Sequence, residues 1–124
     1  MPYEISPNAE QHVVVIRMWG EVTPQEIRAL VSELAGNHEV QGFRQLADLR
    51  ELKSVTSISA SDIRAVAAGA MSESPQRAIV APDSATFGLA RMFAALRNLK
   101  DSHDQIGVFR TMREAQEWLG LSVL

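Results

Sequence analysis

Apolar positions along the chain recur at two spacings, every second residue and every third or fourth, and this alternation predicts its elements. Tyr3–Ser6 is a short strand, and Pro7-Asn8-Ala9-Glu10 has the chemistry of a turn. In the segment His12–Trp19, closed by Gly20, Val13, Val15 and Trp19 fall on one face and Val14, Ile16 and Met18 on the other. A strand apolar on both faces belongs inside a covered sheet; Arg17 is the exception in that pattern. Thr23-Pro24-Gln25-Glu26 then opens a helix, since threonine caps, proline suits the first position and the glutamate returns a bond to the cap. Ile27, Leu30, Val31 and Leu34 keep helical spacing up to a stop at Gly36.

The same reading continues to the end of the chain. Phe43–Leu49 is a strand, and Ser59–Met71 a helix with Ile63, Val66, Ala67 and Ala70 on one stripe. Arg77–Ala81 is a strand ended by Pro82, Ser84–Leu99 the longest helix, and Gln105–Phe109 the last strand. A second capping box, Thr111-Met112-Arg113-Glu114, opens a closing helix that carries Ala115, Trp118 and Leu119 and stops at Gly120. The order is β-β-α-β-α-β-α-β-α. Strands separated by helices run parallel through right-handed crossovers, while the first two form an antiparallel hairpin. The expected class is α/β, a mixed and mostly parallel sheet covered by helices, with residues 1–124 as a single domain.

Composition narrows the function. Twelve basic against fifteen acidic residues leave a net charge of −3, which offers no basic surplus to a phosphate backbone, so nucleic acid is not an expected partner. Without cysteine there is no disulfide, thiolate metal site or cysteine nucleophile. No apolar run approaches the roughly 20 residues of a membrane span, and Met1-Pro2-Tyr3-Glu4 lacks the basic start of a signal peptide. A cytoplasmic protein not integral to a membrane is expected. His12, His38 and His103 share no ligand-like spacing, so no metal is expected. The glycines are scattered rather than gathered into a phosphate-cradling loop, so no cofactor is expected either.

Asp48-Leu49-Arg50, then Arg77–Pro82 with Phe87–Phe93, then Val108-Phe109-Arg110 with Glu114-Ala115 and Trp118-Leu119, together resemble the SpoIIAA-like family, within the STAS group of domains that has been likened to Sec14-type lipid-binding domains. Asp48-Leu49-Arg50 looks like the family's Asp-Leu pair before a switch loop. Arg77-Ala78-Ile79-Val80-Ala81-Pro82, with Phe87-Gly88-Leu89-Ala90-Arg91-Met92-Phe93, looks like its fourth strand and following helix. Val108-Phe109-Arg110, Glu114-Ala115 and Trp118-Leu119 resemble its closing strand and helix. The resemblance implies a phosphorylatable serine at the start of the second helix. Here the family's Asp-Ser-Ser-Gly-like loop reads Ser59-Ala60-Ser61-Asp62, so Ser61, and after it Ser59, are the candidate phosphorylation positions. The plainer role is that Ser59 caps the helix with Asp62 near its positive end.

The stretch Asp83–Phe93 holds further candidates. Asp83 or Ser84 can cap the third helix. On a helical wheel Ala85, Leu89, Met92, Phe93, Leu96 and Leu99 form the stripe expected to meet the sheet, which leaves Phe87 and Ala94 outside, beside Ala90, Arg91 and Asn98. An aromatic with an arginine at its rim suits a partner or ligand contact, and Asp83, Ser84, Phe87 and Arg91 are the candidates. Asp48 ends a strand, yet no base or nucleophile pairs with it in the sequence, so catalysis is not expected. The leading expectation is a non-catalytic regulatory or adaptor domain acting through a protein partner, with a homodimer compatible. The alternative, implied by the Sec14 likeness, is a small apolar or lipid-like ligand between the third helix and the sheet, in a cavity lined by Leu89, Met92, Phe93 and Leu96.

Overall fold

The computed structural model describes residues 2–100 and 105–121; His103 lies outside them. Strands β1 (Tyr3–Asn8), β2 (Val13–Glu21), β3 (Arg44–Ser54), β4 (Arg77–Val80) and β5 (Ile106–Phe109) form one sheet in the order β1-β2-β3-β4-β5. The pair β1–β2 is antiparallel and every other pair is parallel. Helices α1 (Pro24–Gly36), α2 (Ala60–Ala68), α3 (Ser84–Lys100) and α4 (Met112–Leu119) make the crossovers, and a short 3-10 turn, His38–Val40, follows α1. The mixed α/β fold and its element order are those the sequence predicts.

Strand register sorts the side chains. Ile16, Ala47 and Ile79 are Cα partners across β2, β3 and β4 and share one face, which α1, α2 and α3 cover. Val13, Leu46, Ala78 and Val80 cluster on the other face with Ala115 and Leu119 of α4. Helix α4 reaches β3, β4 and β5, so the far half of β2 lies beyond it, and this explains Arg17. Arg17 stands on that uncovered half, exposed, 2.8 Å from Glu51 and 5.4 Å from the centre of the Trp19 ring.

Several boundaries differ from expectation for identifiable reasons. Pro7 and Asn8 belong to β1 because it is an edge strand, where a missing N–H is tolerated. Gly20 lies inside β2 with φ +69, at a register irregularity against β3. Strand β3 runs on to Ser54 by accommodating two such irregularities. Helix α1 includes Gly36 and is capped by Asn37 instead, and α2 ends at Ala68, capped by Gly69, rather than at Met71.

The face of α3 is also different. Its buried residues are Thr86, Ala90, Ala94 and Arg97, whereas Ala85 is exposed and Leu99 is 85% exposed. Small alanines let α3 approach α2 closely, and the Arg97 guanidinium donates to the Ala67 and Gly69 carbonyls, both at 3.0 Å, at the end of α2. Those carbonyls lack helical partners. The face that α3 buries therefore carries this polar contact as well as its small alanines.

Candidate functional site

At the start of α2, Ser59 is the cap. Its hydroxyl accepts from the Asp62 N–H at 3.1 Å and donates to the Asp62 carboxylate at 2.9 Å, while the Ser59 N–H donates to that same carboxylate at 2.8 Å. These bonds from the Ser59 backbone and then its side chain hold the Asp62 carboxyl below its ordinary range. Ser61, two residues on, is exposed. Asp83 caps α3, its carboxylate accepting from the Thr86 N–H and hydroxyl, each at 3.2 Å. Ser84 is then the first helical residue and is exposed. Both helices follow parallel strands, which sets their starts at the carboxyl edge of the sheet.

Phe87 is not the open anchor expected on the outer side of α3. It is half-buried, with the Arg110 guanidinium 4.2 Å and that of Arg91 6.0 Å from its ring centre. Arg110 also donates to the Pro82 carbonyl at 3.1 Å. The ring therefore serves to tie the loop after β5 to the first turn of α3. Ala90 and Ala94, expected beside it on the surface, are buried.

What the helical face of the sheet does hold is a cavity of about 180 Å³. One wall is α1, with Ile27, Leu30, Val31 and Leu34, residues whose helical spacing is plain in the sequence. Ile63 and Val66 of α2 face them, and Leu89, Ala90 and Phe93 of α3 close a third side. Of the residues expected to line such a space, Leu89 and Phe93 do, whereas Met92 and Leu96 are not among the lining. Ile16, Ala47 and Ile79 are the floor. Ala47 and Ile79 are only half-buried although they sit in the interior of a sheet under three helices. Helix α2 packs chiefly on α3 and touches α1 lightly, so the helical layer does not close over them.

The polar residues of the lining are Gln45, Arg77 and Thr86, all buried. Sequence patterning had no means of placing Gln45 and Arg77 here, since a polar residue opening a strand reads as a surface position. The Gln45 amide donates to the Ser72 hydroxyl at 2.6 Å, and Arg77 donates to the Ser72 carbonyl, so the α2–β4 connection is tied to the starts of β3 and β4. Among the described residues no carboxylate or imidazole lines the cavity.

Asp48 lies elsewhere, on the opposite face next to Arg17 in register. Burial alone would raise its pKa. The Arg50 guanidinium, bonding both carboxylate oxygens at 2.9 Å, and the nearby Arg17 charge outweigh burial and hold the carboxyl below its ordinary range. Among the described residues no group of three or more acidic or histidine side chains could hold a metal. Nor, among them, is any helix long and apolar enough to cross a membrane.

No family model matches the sequence, and no curated protein matches it. A solved structure that is similar is an uncharacterized protein from the DUF3478 family with a SpoIIAA-like fold, from Shewanella loihica PV-4. The two share 20% sequence identity, with 94% of this chain and 91% of that chain covered and a TM-score of 0.55. At that identity the likeness concerns the backbone fold alone. The chain has a SpoIIAA-like fold.

Proposed function

We propose that this chain is a non-catalytic binding domain that holds a small apolar molecule between its sheet and α1, α2 and α3. The observation that carries this reading is the cavity of about 180 Å³, open where the helical layer does not close and lined by aliphatic side chains and Phe93. An apolar cavity of about 150 Å³ is already large enough to stay dry and take up benzene. A molecule seated here would remove its own apolar surface and that of half-buried Ala47, Ile79 and Phe93 from water. Among the described residues the lining offers no acid or base to transform it. Thermal unfolding in the presence of indole is the test. A melting temperature that climbs with indole concentration supports the reading, and an unchanged one up to the solubility limit removes it.

A second reading, regulation through a protein partner, is favoured by one feature. Ser61 is exposed on the first turn of α2, where a phosphate would meet the positive end of the helix. Asp62, already bound to the Ser59 amide at that end, would oppose it. The intact mass of protein from its own source decides: a phosphate-sized increment that survives denaturation supports this reading, and an unmodified mass counts against it.

A further inference from the structure

Resting on the binding reading above, we infer that the cavity selects one compact, uncharged molecule, a single ring with a short substituent or a chain of comparable bulk, and rejects both charged isosteres and full-length lipid chains. Size is the first argument. The cavity of about 180 Å³ exceeds by only a fifth the roughly 150 Å³ that benzene occupies comfortably. A long acyl chain would have to leave most of its length in water.

Chemistry is the second. Each polar side chain in the lining is already engaged with the protein: Gln45 with the Ser72 hydroxyl at 2.6 Å, Thr86 with the Asp83 carboxylate at 3.2 Å, Arg77 with the Ser72 carbonyl. A charged head group would exchange water for walls of isoleucine, leucine, valine and phenylalanine, which is strongly unfavourable. Arg77, the cationic side chain among the described lining residues, donates to the Ser72 carbonyl and anchors the α2–β4 connection.

Third, one small residue contributes to the space. Ala47 occupies the central strand between Ile16 and Ile79. An ideal core would carry a large side chain there, and the missing volume is the floor of the cavity.

The experiment compares toluene, benzoate and dodecane on the intact chain by thermal shift and by competition with indole. Toluene is expected to bind at least tenfold more tightly than benzoate, and dodecane not to displace indole. Ala47→Leu should abolish toluene binding while raising the melting temperature by a few degrees, because leucine fills the floor. Should that variant not fold, Ala47→Val is expected to weaken toluene several-fold. Benzoate binding as tightly as toluene overturns the charge selection, and dodecane displacing indole overturns the size limit. Toluene binding undiminished in either folded variant places the ligand elsewhere and overturns the site. If neither toluene nor indole binds, the binding reading itself has failed, which is a different result from benzoate winning.

Discussion

At the residue scale the candidate positions divide by what their side chains touch. Ser59 is bound at three points to Asp62 and Ser61 is exposed. Ser59→Ala should therefore cost about 1 kcal/mol in urea unfolding, the usual value of a cap, while Ser61→Ala should stay within about 0.5 kcal/mol. Phe87→Ala should likewise act on stability, by freeing Arg110 and the loop after β5, before it acts on any partner. Acid sensitivity belongs to Asp48 and Asp62, both held below their ordinary range. A carboxyl whose pKa is lowered by folding stabilises fully above about pH 4, its unfolded value, and loses that contribution as pH falls through the folded value. Asp48→Asn is thus expected to cost about 1 kcal/mol at neutral pH, since Arg50 is half exposed, and to flatten the acid limb of a stability profile.

Elements show what sequence patterning can and cannot see. The hairpin, the parallel order and α1 with its capping box were legible because Thr23, Pro24 and Glu26 act within one turn, and local chemistry is what spacing reports. The length of β3 was not. Between Arg17 and Trp19 of β2 lies one residue, but between their partners Asp48 and Glu51 lie two, so β3 carries an extra residue. That bulge lets Leu49 and Leu52, three apart, both line the cavity, a spacing that reads as neither strand nor turn. The face of α3 escapes patterning for the opposite reason. Apolar residues are spread around much of that helix, and the deciding contact is a polar one, Arg97 on the carbonyls at the end of α2. Arg97→Leu should lower stability by about 2 kcal/mol and speed hydrogen exchange most in the last turn of α2. Equal exchange in α1 and α2 would show that Arg97 does not secure that end. The cavity was legible only in part, because Leu89 and Phe93 announce an apolar face but not that the floor beneath the helices holds an alanine, Ala47.

On the scale of the whole molecule, helices cover the two faces unequally, α4 alone on one and α1, α2 and α3 on the other. The single helix packs tightly: Ala115 is fully buried and Leu119 2% exposed. The three together still fail to fill their side. A space left empty in the folded chain disappears when the chain unfolds, so the native state is the bulkier one. The volume lost scales with such space without equalling it, and lies within the roughly 20–100 mL per mole of folded proteins. Hydrostatic pressure, which leaves charge and solvent composition untouched, should therefore favour the unfolded chain, and Ala47→Leu should move the midpoint upward.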